Sequence, residues 1–268
     1  MTQAQHFSVS ILLSVYNAEE TIDRTLESLL AQTFQDFSIV VINDSSRDNT
    51  EVHLERWQAI FGQERFTLLR NEKNLGLTRS LNRGLATIVT PYTARIDADD
   101  WWHPTKLERQ ISFLEAHADY GLIGCSYINI FGRNEKVVRP PETDQLIKQK
   151  IFGYNPFAHS TVVFRTGLVQ SVSGYDEHIY FGQDYDLWLK LLLKTKFYNI
   201  PEVLCYRTGD AGISQERQND QIRQYMRTQW KYLQLYRYPF WHYFFLVRPI
   251  LVLASPEWLK RLKRYFFL

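Results

Sequence analysis

The sequence predicts an α/β protein in which a mostly parallel central sheet is flanked by helices and followed by a helical C-terminal appendage. Apolar runs at 9–15 and 39–42 end on Tyr16-Asn17 and Asn43-Asp44, the pattern of central parallel strands buried on both faces with polar groups at their carboxyl ends. An amphipathic stretch lies between them and completes a strand, helix, strand unit. The third observation is Arg95-Ile96-Asp97-Ala98-Asp99-Asp100, three carboxylates set between the apolar segment 86–92 and Trp101-Trp102. Carboxylates crowded at the exposed end of a buried strand repel one another unless a divalent cation or a ligand's donors neutralise them. The motif therefore points to metal-assisted phosphate chemistry.

In the first unit Asn17 is placed to cap a helix, with Glu20 at the capping-box position and Ile22, Leu26, Leu29 and Leu30 as the inward stripe. Residues 67–69 make another strand, and Leu77, Leu81 and Leu85, spaced by four, keep one apolar face of the next helix against the sheet. The following strand delivers Asp97, Asp99 and Asp100 at its end. Pro104 suits the first turn of a helix continued inward by Leu107, Ile111 and Leu114, after which residues 121–130 resume the sheet. From Pro140 the alternation loosens into a short helix at 144–150, a strand at 161–164 and a loop carrying Gly167, Gly174 and Gly182. A helix at 186–193, packed by Leu187, Leu189 and Leu192, and a strand at 203–206 close the pattern.

At 268 residues the chain suits one large domain of residues 1–214, with halves of about 1–120 and 121–214, and a terminal segment of 215–268. Cys125 and Cys205 both sit in apolar runs without zinc-ligand spacing and read as buried packing thiols of a reducing compartment. The polar start, residues 1–8, lacks the basic-then-apolar pattern of a secretory signal, so a cytoplasmic location is expected. Net charge is segregated: the last 44 residues hold eight Lys or Arg against the single acid Glu257, which leaves residues 1–224 at net −5. An acidic body needs a cation to hold a polyphosphate, whereas a basic aromatic tail suits an anionic surface.

Open α/β sheets bind ligands outside the carboxyl ends of their strands, so Asn17, Asp44 with Asp48, and Asp97 with Asp99 and Asp100 can converge on one crevice. Asp97 and Asp99, two apart on an extended strand, share one side and can face a cation or a ribose, with Asp99 the better direct ligand. A solvated acidic turn is the competing reading, because Asp readily caps helices. Asp44 is assigned to ligand contact and Asp48 to capping the helix of Val52 and Trp57. Arg79 can reach phosphate or remain a solvated helix arginine, and Arg95 enters the acidic turn directly and can orient it or the nucleotide. Neither a Gly-rich loop ending in Lys-Ser or Lys-Thr nor a G-x-G-x-x-G run follows the first strand, so phosphate must be neutralised by metal and scattered donors. Asp184 stands in a polar loop entering an amphipathic helix, where a carboxylate can meet an acceptor hydroxyl; N-capping is the rival role for it and for Asp186.

Taken together, the segments 9–17, 42–48, Asn74-Leu75-Gly76-Leu77, Ile96-Asp97-Ala98-Asp99-Asp100 and Gln183-Asp184-Tyr185-Asp186-Leu187-Trp188 resemble an inverting glycosyltransferase of family 2 with the GT-A nucleotide-diphospho-sugar fold. The resemblance covers roughly residues 9–214 and implies a nucleotide-binding first half and an acceptor-binding second half. It implies that Asp44 recognises the nucleobase, Asp97 lies near the ribose, Asp99 holds Mn²⁺ or Mg²⁺ on the diphosphate, and Tyr16 and Asn17 line the nucleotide side. It maps the general base to Asp184. The chain departs from the family at Gln183, where Glu usually precedes the base, and at Gly209, where a mobile lid often carries His. Asp210, next to that position, can approach the metal or the acceptor instead. His159 resembles a position beside both substrate sites, and a satisfied core histidine is its alternative reading. Trp101 and Trp102 can form a sugar or acceptor platform, with at least one of them packed, and Trp188 reads as core.

Beyond Tyr225, Trp230, Leu233 and Tyr236, spaced for a helix, the run 240–247 needs cover from protein or lipid. Arg248 and Pro249 interrupt it, which argues against a conventional membrane span of roughly 20 residues. Trp258, Leu259, Leu262, Tyr265 and Phe266 alternate with Lys260, Arg261, Lys263 and Arg264 as an interfacial anchor would. Contact of 240–268 with the cytoplasmic face of a membrane is expected; packing on the body or in a dimer is the alternative, and the acidic body argues against nucleic acid. The function expected is transfer of a sugar from a nucleotide-diphospho-sugar, a UDP-sugar by preference, to a hydroxyl of a glycan or lipid-linked acceptor in surface polysaccharide synthesis. A nucleotidyltransferase on a similar fold and a catalytically weak glycan-binding subunit are the alternatives.

Overall fold

The computed structural model describes residues 7–209 and 218–254. Its first half alternates regularly through β1 (Val9–Val15), α1 (Ile22–Leu30), β2 (Phe37–Asn43), α2 (Thr50–Phe61), β3 (Phe66–Arg70), α3 (Leu77–Leu85) and β4 (Tyr92–Arg95). The second half adds β5 (Trp101–Trp102), α4 (Lys106–Ala116), β6 (Tyr120–Phe131), β7 (Asn134–Val138), α5 (Asp144–Lys150), β8 (Val163–Arg165), α6 (Thr166–Gln170), α7 (Gln183–Leu191) and β9 (Lys196–Thr208). α8 (Gln218–Leu235), a 3-10 segment (Phe240–Leu246) and α9 (Val247–Ala254) follow. The strands form one sheet in the order β3-β2-β1-β4-β8-β6-β9-β5, with β7 paired to β6. β3, β2, β1 and β4 are parallel, β8 runs antiparallel to both β4 and β6, and β6 and β9 are again parallel. The expected mostly parallel sheet is thus a parallel block in the first half joined to a mixed one.

Burial explains the continuous apolar runs. Ile11, Leu13, Ile39 and Val41 face a core closed by Leu26 and Leu29 of α1, Trp57 of α2 and Ile111 of α4. Leu12, Val40 and Ile42 face the opposite core, closed by Leu81 and Leu85 of α3 and Leu187 and Trp188 of α7. With helices on both faces, side chains of either parity must be apolar. α3 lies close to the sheet because Gly84 lacks a side chain there; a Cβ would stand 2.5 Å from Leu12 Cδ1 and Ile42 Cδ1.

Three expectations about boundaries are corrected. Asn17 does not cap α1, which starts after Thr21; Asn17 takes φ 50° and is drawn into the 46–47 loop instead. There its Oδ1 accepts from Arg47 N at 2.8 Å and its own N–H donates to Ser46 Oγ at 3.1 Å, so a local turn displaces the capping box. Segment 86–92 is mostly the turn that ends α3, and the strand carrying the acidic motif begins only at Tyr92, after Pro91. α7 starts at Gln183, three residues earlier than its apolar spacing indicates, which puts Asp184 in the first turn.

The terminal segment packs on the body over much of its described length. Leu233 and Leu246 are buried in the second core with Tyr232, while Tyr225, Tyr236, Tyr238, Tyr243 and Phe245 lie partly buried against it. Phe240, Trp241 and Phe244 remain 82, 61 and 75% exposed. Among the described residues no helix is long and apolar enough to cross a membrane. The basic aromatic stretch 255–268 and Asp210 lie outside the described residues. Two-sided burial of β1 makes a definite prediction: Leu12→Ala and Leu13→Ala, on opposite faces, each cost about 2–5 kcal/mol in urea unfolding. A near-neutral result for either one contradicts the two-faced core.

Candidate active site

The acidic turn leaves β4 through Arg95, whose side chain is fully buried. Its guanidinium pairs with the Asp97 carboxylate, and Nη1 lies 3.4 Å from Ser160 Oγ. The same hydroxyl donates to Asp97 Oδ2 at 3.1 Å and accepts from Asp97 N at 3.0 Å. Burial opposes the charge on Asp97, but Arg95 outweighs it and holds the carboxyl well below the usual carboxylate range. The neighbours respond in the opposite sense. Burial and the fixed charge of Asp97 raise Asp99, and the same two causes push Asp100 up to about 7 against the pull of Arg207. Asp100 is buried, with Thr208 N donating to Oδ1 at 2.9 Å and Arg207 Nε lying 3.6 Å from Oδ2.

The backbone of the turn is bound from both sides. Thr25 Oγ1 reaches the carbonyls of Ala98 at 3.0 Å and Asp100 at 2.8 Å, while Arg24 Nη2 and Thr208 Oγ1 donate to that of Asp99 at 2.8 and 2.7 Å. With its carbonyl engaged on the protein, Asp99 keeps a half-buried carboxylate for a ligand. Mg²⁺-type sites commonly use one or two carboxylates plus substrate phosphates, and this donor set fits that arrangement. It does not fit an all-protein cage: among the described residues no group of three or more His, Cys, Asp or Glu can hold a metal. Trp101 stacks on Tyr206 with centroids 5.5 Å apart, and the Arg24 guanidinium lies 3.8 Å from its ring centroid. Trp102 is buried, with Nε1 donating to Ser160 O at 2.8 Å, so of the expected platform only Trp101 has an accessible surface.

The other strand ends are less uniform. Tyr16 is 43% exposed beside β1, and Asn17 joins it to the 46–47 loop. Asp44, expected to meet a ligand directly, is turned inward: it accepts from Asn71 Nδ2 at 2.6 Å and from Leu75 N and Gly76 N at 2.8 Å each. Those bonds pin the 71–76 loop. Asp48 Oδ1 accepts from Thr50 N at 3.1 Å at the start of α2, but the N-cap position of that helix is Asn49, one residue later than expected. Arg79 is exposed and faces Glu177 at 3.5 Å.

Asp184 Oδ2 accepts from Asn155 Nδ2 at 2.8 Å. Burial raises its carboxyl above the ordinary value, against the Tyr185 N–H, the Asn155 amide and the charges of Arg95 and Arg207. Gln183 is buried at the head of the same helix and brings no charge to it. His159 is held neutral by burial and by Arg95, with Nε2 2.8 Å from Tyr175 Oη and its ring edge-on to Trp188. It is a satisfied histidine beneath the site. Ser160, Asn155, Arg24, Thr208 and Tyr225 carry no signature in the sequence, since each works by a contact from a distant segment; the position of Ser160 beside His159 is the only available signal.

A family model described as Glycosyl transferase family 2 matches residues 10–172. The amylovoran biosynthesis glycosyltransferase AmsE of Erwinia amylovora is 35% identical over 214 residues, 78% of this chain and 79% of that one. The UDP-Glc:alpha-D-GlcNAc-diphosphoundecaprenol beta-1,3-glucosyltransferase WfaP of Escherichia coli is 30% identical over 227 residues, 81% of this chain and 83% of that one. Among solved structures, S. aureus TarS 1-349 in complex with UDP-GlcNAc superposes with a TM-score of 0.70 at 21% identity, over 85% of this chain and 66% of that one. The mannosyltransferase PcManGT of Pyrobaculum calidifontis in complex with GDP-Man and Mn2+ does so with a TM-score of 0.68 at 18% identity, over 93% of this chain and 71% of that one.

Loss of the Asp44 carboxylate has a local readout. Asp44→Ala is expected to accelerate hydrogen exchange at the Leu75 and Gly76 amides about 10- to 100-fold, the equivalent of charge-assisted bonds of about 1.5–3 kcal/mol. Unchanged exchange there contradicts the pinning of the loop.

Proposed function

The chain belongs to glycosyl transferase family 2 and has the GT-A fold; from that premise we propose that it transfers a sugar, with inversion, from a UDP-sugar to a hydroxyl of a glycan or lipid-linked acceptor. The observation that carries the reading is the contrast in setting of two carboxylates: Asp97 is paired with buried Arg95 and bonded by Ser160, whereas Asp184, in the first turn of α7, accepts from Asn155. Asp97 and Asp184 lie in the field of the same two cations, Arg95 and Arg207, yet one is held ionised and the other has its proton affinity raised. Carboxylates driven apart in this way are suited to separate tasks, one binding and one exchanging a proton.

In this reading Asp184 takes the proton of the acceptor hydroxyl as that oxygen attacks the anomeric carbon and the bond to the nucleoside diphosphate breaks. Attack opposite the departing group inverts the centre. Asp97 meets the ribose, and Tyr16 and Asn17 line the nucleotide; Asp44 serves them at one remove by fixing the 71–76 loop. Asp99 would hold Mn²⁺ or Mg²⁺ together with the diphosphate, and that charge, when present, offsets the negative charge left on the nucleoside diphosphate. Arg95 orients the turn, Asp100 with Arg207 backs it, and Trp101 offers a face to the acceptor. Arg79, already facing Glu177, has a surface role in this arrangement. The names of the relatives support both substrate classes: WfaP uses UDP-Glc and a diphosphoundecaprenol-linked acceptor, and TarS was crystallised with UDP-GlcNAc.

We assign the exposed Phe240, Trp241 and Phe244 to a lipid surface on the cytoplasmic side, where the basic terminal residues would add attraction to anionic headgroups. Lipid-linked acceptor and enzyme would then meet at one interface.

Asp184→Asn is expected to lower kcat by about 10²- to 10⁴-fold while donor affinity stays within error; an undiminished rate removes Asp184 from the reaction. Because the base works ionised and its carboxyl is raised, wild-type activity should be highest on the alkaline side of that carboxyl's titration. It should fall with acidification at a midpoint above the ordinary aspartate value of about 4. For the surface assignment, the full chain should sediment with phosphatidylglycerol vesicles and lose this on Phe240→Ser/Trp241→Ser/Phe244→Ser. Equal binding by both forms assigns the contact elsewhere.

A further inference from the structure

α8, like α7, lies outside the residues matched by the family model, and it reaches Asp184. Tyr225 stacks on Tyr185, the residue after Asp184, with centroids 4.8 Å apart and planes 18° from parallel. Its ring also covers the start of α7, where a Cβ on Gly182 would stand 2.9 Å from Tyr225 Cε2. Gly182 itself has φ 71°, so two features of that position, backbone and space, suit glycine.

Asn155 links the two side chains. Its Oδ1 accepts from Phe157 N at 3.2 Å, which turns the amide nitrogen outward; that nitrogen donates to Asp184 Oδ2 and neighbours the Tyr225 hydroxyl. α8 is in turn bound to both elements that carry this pair. Gln229 Nε2 donates to Phe152 O at 2.7 Å, just before the Asn155 segment. On α7 the fully buried Asp186 receives Tyr232 Oη at 3.1 Å and Lys231 Nζ at 3.3 Å on Oδ1, with Lys190 Nζ at 3.5 Å from Oδ2. A buried carboxylate is stable only with such partners, so the contact sets where α8 sits rather than merely tolerating it.

We propose that α8 completes the base: Tyr225 and Asn155 are positioning residues that hold the Asp184 carboxylate and limit its contact with water, and the cluster of Asp186 with Lys231 and Tyr232 locks the helix in the place where Tyr225 does so. The inference rests on Asp184 being the base. It gives the C-terminal helix a task in the reaction besides any part in attachment.

The ionisable groups that act on Asp184 are Arg95 from β4, Arg207 from β9, Tyr175 from the loop before α7 and Tyr225 from α8. Substitutions that leave the first three in place therefore report on α8 and Asn155. The test is a ¹³C-carboxyl titration of the full chain, with the Asp184 signal assigned by its absence in Asp184→Asn, alongside kcat and KM. Tyr225→Ala admits more water to the partly exposed Asp184 and should move the midpoint down toward ordinary aspartate, with kcat lowered about tenfold or more and donor KM within about twofold. Asn155→Ala removes a bond to the ionised form and should move it up. Tyr225→Phe keeps the ring and should keep the midpoint. Lower stability alone would reduce the active fraction without moving it in either direction. Unmoved midpoints in folded Asn155→Ala and Tyr225→Ala overturn the proposal, and the Asn155→Ala midpoint decides by itself if Tyr225→Ala does not fold. Opposite shifts in a chain that transfers no sugar from any nucleotide donor overturn the transferase reading and leave the positioning intact.

Discussion

The buried pairing of Arg95 with Asp97 is the constraint on which the site depends. A guanidinium fully removed from water needs a carboxylate partner, and removing one member of such a pair typically costs about 3–5 kcal/mol. Here the partner is the first acid of the turn, so its charge is permanent. That charge then acts on Asp99 and Asp100, which become harder to ionise. Arg207 offsets it at Asp100 from the rear. In the proposed reading, positive charge brought to the half-buried Asp99 carboxylate would relieve the repulsion that Asp97 exerts on it.

The short 3-10 turn His159–Thr161 transmits this arrangement across the protein. Ser160 binds Asp97 through its hydroxyl and Trp102 through its carbonyl, while His159 rests against Trp188 of α7. The Asp97 turn and the helix that carries Asp184 thereby both contact one short turn. Neutral His159 suits that task, since a protonated imidazole beside Arg95 would repel it. Likewise Lys106, buried against Trp102 and pushed down to about 8 by desolvation, supports the rear wall through Gln110.

The terminal aromatics divide between two environments. Those of α8 complete the second core, which accounts for Tyr232, Leu233 and Tyr236 without any lipid. Those of the 3-10 segment beyond Pro239 are split, with Phe245 inward and Phe240, Trp241 and Phe244 outward. Burial of one face fixes the other toward solvent, and a cluster of large aromatics held outward by a packed scaffold has the character of an interaction surface.

Much of the fold was legible in the chain itself because parallel strands covered on both faces must be written as unbroken apolar runs, and the helices between them as single stripes. The positions of Asp97, Asp99 and Asp184 at strand and helix ends followed from the same patterns and from resemblance. Boundaries set by a turn were not legible: Asn17 resembles a helix cap, but a loop 30 residues away offers its groups better partners. The same holds for Asp44, whose inward bonds come from 71–76, and for the working neighbours Ser160, Asn155 and Tyr225. Periodicity records which side of an element is dry, a property of local sequence. Which polar group answers which depends on chain segments far apart in sequence, so the charges, proton affinities and closure of the site were decided only when the chain folded.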